Sequence, residues 1–192
     1  ITRLRAAFRL GFYTPVITSI VAVAVVWRFI LQPDGLLNQM LAPLGITGPN
    51  WLGDPQWAMP SLIMMAVWRN FGNGMIIFMA GLQGVPHSLQ EAASIDGANA
   101  WKRFWHITFP LLRPTLLFVC VTTAIGYIQF FEEPFVMTDG GPLDRTLSIS
   151  MYMYEQGFTF FHQGYAAAIA CVLFLLVAVV AFFQFRVLRS DA

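Results

Sequence analysis

Residues Tyr165 to Phe185 read YAAAIACVLFLLVAVVAFFQF, an unbroken apolar run with no charge, Pro or Gly. A helix needs about 20 mainly apolar residues to cross the hydrocarbon core of a bilayer, at ~1.5 Å rise per residue. A buried helix of a soluble protein could hold one such run, but three more stand upstream. Leu10 to Leu31 has Arg28 as its only charge, and Trp57 to Leu82 is interrupted by Arg69, Asn70, Gly72, Asn73 and Gly74. Leu111 to Phe131 has Arg113 and Pro114 where it begins. Across 192 residues, 57% are apolar or aromatic and only 11% charged, against about a quarter charged in ordinary soluble domains. The expected fold is therefore all-α: a polytopic membrane protein with four transmembrane helices, at about 10–31, 57–82, 111–131 and 165–185.

The charges orient these spans. Loops retained in the cytoplasm are enriched in Lys and Arg. Arg3, Arg5 and Arg9 precede the first span; Lys102, Arg103 and Arg113 lie between the second and third; Arg186 and Arg189 follow the fourth. Eight of the eleven basic residues thus share one side, while Asp34, Asp54, Glu132, Glu133, Asp139, Asp144 and Glu155 fall in or beside the two opposite loops. Both ends of the chain are expected in the cytoplasm of a multi-pass inner-membrane protein. Of the outer loops, Gln32 to Gln56 is rich in Pro, Gly, Asn and Asp and reads as a turn-rich cap. Glu132 to Gly164 carries a Gly140-Gly141-Pro142 turn, then Tyr152, Tyr154, Phe158, Phe160 and Phe161, aromatics that suit a membrane interface.

Several function classes fall away. Cys120 and Cys171 lie in apolar runs with no Cys or His at ligand spacing, so neither a metal site nor a disulfide framework is expected. Nothing points to nucleic acid, and no secretory signal pattern opens the chain, which starts at Ile1 and reads as the remainder of a longer protein. No Gly-x-x-x-x-Gly-Lys-Ser/Thr stretch occurs, so any nucleotide hydrolysis would belong to a partner and no catalytic residue is expected.

The cytoplasmic stretch 86–110, PHSLQEAASIDGANAWKRFWHITFP, is the most structured of the connections. Ser88 and Glu91 have capping-box spacing, which starts a helix after Pro86, and Gly97 permits the turn that ends it. Trp101, Phe104, Trp105 and Thr108 recur at i, i+3, i+4 and i+7, giving a second short helix that Pro110 stops. Two readings fit this helix, turn, helix: an amphipathic connector on the lipid surface, given Lys102 and Arg103 beside the rings, or an inserted coupling element whose small Ala92-Ala93 face lets another surface approach.

Glu91-Ala92-Ala93, Gly97 with nine residues between it and Ile107, and Phe109-Pro110 resemble the EAA loop of the inner-membrane permeases of binding-protein-dependent ABC importers, with Phe109 where the family usually has Leu. The resemblance implies that this loop is the coupling helix that docks into the cytoplasmic ATPase, with Glu91, Ala92, Ala93, Asp96, Gly97, Ala98, Phe104, Ile107 and Pro110 at the contact. Thr138-Asp139-Gly140-Gly141-Pro142, Thr146 and Gly164 to Ala168 are similar to carbohydrate-uptake permeases, and more narrowly to the larger maltose permease subunit. That likeness implies a heterodimer with a second permease, an ATPase dimer holding ATP and Mg, and an extracytoplasmic solute-binding protein. Such permeases commonly have about six core spans, so the resemblance implies two more ahead of the four read here.

Solute contacts are sought among polar groups inside or beside the spans, where they are expensive and often functional. Arg69, Asn70 and Asn73 in the second span, and Tyr127, Gln129 and Glu132 toward the outer end of the third, are the candidates. Hydrogen bonds that merely pack helices together are the alternative for each, worth about 1 kcal/mol. At the level of the whole protein, an ion-driven secondary transporter or channel, a non-transporting scaffold, and an importer of a non-sugar solute are the rival readings. No internal repeat supports the first.

Overall fold

The computed structural model describes residues 2–189, without the side chains of residues 2, 3, 5 and 187–189, so the basic side chains at 3, 5 and 189 lie outside the described residues. The helices in chain order are α1 (Thr2–Ile17), α2 (Ile20–Ile30), α3 (Leu36–Leu41), α4 (Ala58–Gln83), α5 (His87–Ile95), α6 (Ala100–Arg103), α7 (Phe109–Leu111), α8 (Arg113–Ile128), α9 (Glu132–Met137), α10 (Ile149–Tyr154) and α11 (Gln163–Arg189). Wider π turns join α6 to α7 at Phe104–Thr108 and extend α10 at Glu155–Thr159. The fold is all-α, with no strand among the described residues.

Among the described residues, two helices are each long and apolar enough to cross a bilayer, Ala58–Gln83 and Gln163–Arg186. The other two expected spans are not straight rods. Ala6–Ile17 and Ile20–Ile30 meet at 101°, and Ala100–Leu111 and Arg113–Ile128 at 62°. Each break has a chemical cause. Pro15 removes a helical N–H from α1, while the Thr14 and Thr18 hydroxyls donate back to the Leu10 and Thr14 carbonyls at 2.7 and 2.8 Å, a pattern that bends helices. Pro114 disfavours helical backbone at the residue before it, and the chain turns at Leu112, one position earlier still.

The chain divides into two compact units: Ile1–Gly72 with Gly126–Leu176, and Asn73–Ile125 with Val177–Ala192. In the first, the core gathers Val23, Ala24 and Leu31 of the α2 region, Leu62 and Met65 of α4, and Met137 of α9, with Trp27, Trp51 and Phe130 packed around it. Lipid gives helices no hydrophobic reason to associate, so close van der Waals packing over small residues does that work. Ala58, Ser61, Ala66 and Gly72 are the buried small positions of α4. At Gly72 an added Cβ would stand 2.2 Å from the Phe12 carbonyl oxygen, so α1 and α4 touch backbone to backbone. The cap at 32–56 is held by Asn38, whose side-chain amide donates to the Pro33 and Pro49 carbonyls and accepts from the Trp51 indole at 2.7 Å.

The loop 132–164 is more helical than its turn residues suggest. Ser148 caps α10, its hydroxyl accepting from the Met151 N–H at 3.1 Å. Tyr154 and Phe158 stack with each other and join Phe131 and Phe135 in one ring cluster. The Thr138-to-Thr146 stretch closes on itself: the two hydroxyls lie 2.7 Å apart, Thr146 donates to the Gly141 carbonyl, and Asp139, Leu143 and Asp144 take left-handed backbone to fit.

Within the second unit, α5 to α8 succeed one another along the chain. In the part of α11 within 163–186, only Ala166 and Leu173 are buried, so rows of Val, Leu and Phe face outward, the surface expected of a helix in lipid.

Candidate functional site

The connection 86–111 in the second unit is built from local signals. α5 begins at His87 with Pro86 as its cap residue and no side-chain cap. The capping box expected at Ser88 and Glu91 is therefore not formed: Ser88 already sits inside the first turn, because Pro86, with extended backbone, takes the cap position. At the other end Gly97 adopts φ 77. The Ala98 N–H donates to the Ala93 carbonyl at 2.9 Å and the Gly97 N–H to the Ser94 carbonyl at 3.2 Å, the paired bonds of a Schellman motif. Asn99 then starts the second helix, its side chain accepting from the Lys102 N–H at 2.9 Å, a cap the sequence pattern does not announce.

Pro110 does not stop that second helix, which continues to Leu111. In the π turn the Phe109 N–H reaches back to the Phe104 carbonyl, five residues away. The extra residue in this turn admits the proline and rotates the next residues by about one helical position. Thr108, expected on the aromatic stripe, is consequently buried, and Phe109 joins Trp101, Phe104 and Trp105 instead. Glu91, Ala92, Asp96 and Gly97 are exposed, Ala93, Ala98, Ile107 and Pro110 half-buried, and Phe104 exposed. Leu89 and Ile95 are exposed as well, Ile95 to 87%. The arrangement is an open, sharply turned element presenting small and acidic side chains on its first arm and aromatic and basic ones on its second.

The polar positions expected to meet solute are only partly brought together. In the first unit the Asn70 side-chain amide donates to the Ala66 carbonyl at 2.9 Å and to the Tyr127 hydroxyl at 3.3 Å. Gln129 and Glu132 belong to the same unit and are both exposed, on either side in sequence of the Tyr127 ring's neighbour Phe130, while Asn73 is exposed in the second unit. The Arg69 Nε is buried without a hydrogen-bond partner. Sequence reasoning missed Glu133, which is 6% exposed. Burial pushes its carboxyl up, opposed by its own backbone N–H and by Arg69, with Glu132 adding to the rise. Its signal was there in the acidic pair at the start of a helix, in a stretch whose turn residues read as loop. Arg28 is exposed and reaches across to α9, its guanidinium donating to the Val136 carbonyl at 3.4 Å. It lines a cavity of about 280 Å³ with Gln32, Asn50 and Thr138. Among the described residues no cluster of His, Cys, Asp and Glu is arranged to hold a metal.

Residues 2–190 match the family described as the inner membrane component of binding-protein-dependent transport systems. The lactose transport system permease protein LacF of Rhizobium radiobacter is 38% identical over 193 residues, covering 98% of this chain and 65% of that protein. The arabinooligosaccharides transport system permease protein AraP of Bacillus subtilis is 34% identical, covering 99% of this chain and 62% of that one. A crystal structure of a bacterial ABC transporter involved in import of the acidic polysaccharide alginate superposes with TM-score 0.84 at 26% identity, covering 97% of this chain and 66% of the matched one. The alginate transporter in complex with an alginate pentasaccharide-bound periplasmic protein gives 0.89 at 27%, over 99% and 67%. The chain thus spans roughly two thirds of the length of these relatives.

Proposed function

Because the chain belongs to the family of inner membrane components of binding-protein-dependent transport systems, we propose that it forms part of the translocation path of an ATP-driven importer for a sugar or related polar solute. The single observation that carries the reading is the glycine-turned element 86–111, with Glu91 and Ala92 exposed on α5 and Ala93 half-buried beside them. A solute path needs no such element; a machine driven by a separate ATPase does. Closure of an ATPase dimer, which holds the ATP and Mg, pushes this element and its counterpart on a second permease together and opens the cavity outward. An external binding protein delivers solute, and hydrolysis resets the cycle. Counting each bent helix pair as one crossing gives up to four spans, and the basic residues at 9, 102, 103, 113 and 186 support cytoplasmic ends. Asn70 and Tyr127 offer the amide and hydroxyl hydrogen bonds that a hydroxyl-rich solute takes. The names of the lactose and arabinooligosaccharide relatives support a carbohydrate.

The test is co-purification of the tagged full-length protein from membranes, with ATPase activity measured for the parent and for Glu91→Ala. Recovery of a second permease and an ATPase, with assembly or activity weakened by the substitution, is expected. Recovery of the protein alone under mild detergent would overturn the reading and favour an ion-driven transporter.

A further inference from the structure

The two arms of element 86–111 differ in charge and in surface. α5 has Glu91 within it and Asp96 at its end, with no Lys, Arg or aromatic ring between 88 and 96. Beyond Gly97, the segment Ala100–Leu111 holds Lys102 and Arg103 and four rings in mutual contact. Trp101 and Trp105 lie 5.7 Å apart between centroids, Phe104 and Trp105 5.4 Å, Trp105 and Phe109 5.0 Å, and Phe104 and Phe109 6.3 Å. Trp101 is 70% exposed, with Phe104 and Trp105 exposed beside it. α8 begins at Arg113, with Leu112 between it and Leu111, and its axis is bent 62° from that of Ala100–Leu111. If α8 crosses a bilayer along its normal, the ring-bearing segment lies nearer the membrane plane than the normal.

We propose that Ala100–Leu111 is a lipid-docking surface, seated in the cytoplasmic headgroup layer with its rings at the acyl boundary and Lys102 and Arg103 on anionic headgroups. Trp is favoured at that depth, where an apolar ring and a polar N–H are both satisfied. Basic side chains there meet the negative surface potential of anionic lipid. The acidic arm α5 is repelled by the same surface and is held off it, free for a protein partner. The π turn matters because it turns polar Thr108 inward and brings Phe109 into the ring cluster. This inference goes beyond the transport reading and rests on the 16-residue α8 making the crossing of the bent pair, with Ala100–Leu111 as its surface-lying lead-in.

The experiment uses the intact complex in nanodiscs, with Cys120→Ala and Cys171→Ala as background and a nitroxide placed through Trp101→Cys or Ile95→Cys. Collision with oxygen relative to a nickel chelate should be several-fold higher at position 101 than at 95, with or without the ATPase bound. Replacing phosphatidylcholine by phosphatidylglycerol should raise the ratio at 101, and Lys102→Gln with Arg103→Gln should erase that rise. Equal nickel access at both positions, or protection of 101 only when the ATPase is present, would overturn the proposal and assign the rings to water or to the protein partner. In the complex with its native tryptophans, brominated phosphatidylglycerol should quench emission more than brominated phosphatidylcholine, and the same charge removal should abolish the difference. Persistence of the difference would also overturn it. Solute uptake is measured separately, so loss of transport leaves the labelling result standing.

Discussion

Gly97 and Glu133 are single residues whose surroundings give opposite lessons. At Gly97 there is space, since nothing lies within 4 Å of an added Cβ, yet φ 77 forbids a β-branched side chain. Left-handed backbone costs an ordinary residue about 1–2 kcal/mol, enough to distort the turn without unfolding the spans. Gly97→Val should leave insertion and expression intact while solute-stimulated ATPase activity is lost; normal stimulation would remove the turn from the coupling route. At Glu133 the problem is burial. A carboxyl whose value is raised on folding holds its proton to higher pH than the unfolded chain does. Folding stability is therefore greatest below the unfolded value and declines as pH rises toward the raised one. Glu133→Gln should flatten that decline: the thermal midpoint of the purified protein at neutral pH should equal or exceed the parent's, with the difference vanishing in acid. Gly97 was readable because a glycine after an apolar helical stretch has few other uses. Glu133 was not, since its burial depends on α2 and α9 meeting from distant parts of the chain.

At the level of elements, caps separate what sequence pattern gives from what the backbone does. Ser88 has the right spacing and the wrong position, while Asn99 carries the bond. Asn99→Ala should destabilise the second helix by about 1 kcal/mol, seen as faster hydrogen exchange at 102 and 103, whereas Ser88→Ala should leave exchange in α5 nearly unchanged. A marked effect of Ser88→Ala would restore the capping box. Where α1 and α4 meet, Gly72→Leu drives a side chain into the Phe12 carbonyl. Overpacking of this kind costs about 1–3 kcal/mol, and the thermal midpoint should fall accordingly. The apolar run of α11 was legible in full because nothing interrupts it. The bends at Thr18–Ser19 and Leu112 were not, because one proline in an apolar run is compatible with a kink, a cap or a clean break, and only hydroxyl back-bonding and neighbouring packing decide among them.

For the molecule as a whole, composition was sufficient for the solvent and spacing for the family, because both are sums over many residues. The arrangement of the polar groups proposed to meet solute was not, since Asn70 and Tyr127 meet through tertiary packing. The Schellman bonds at the end of α5 carry a last consequence. With Ala93 and Ser94 carbonyls already satisfied by Ala98 and Gly97, a protein that meets this end strips no water from those two acceptors on arrival and strands neither on departure. Their desolvation therefore adds little to the difference in free energy between attachment and release. That near-balance is what the proposed coupling role asks of a joint loaded and unloaded once per turnover.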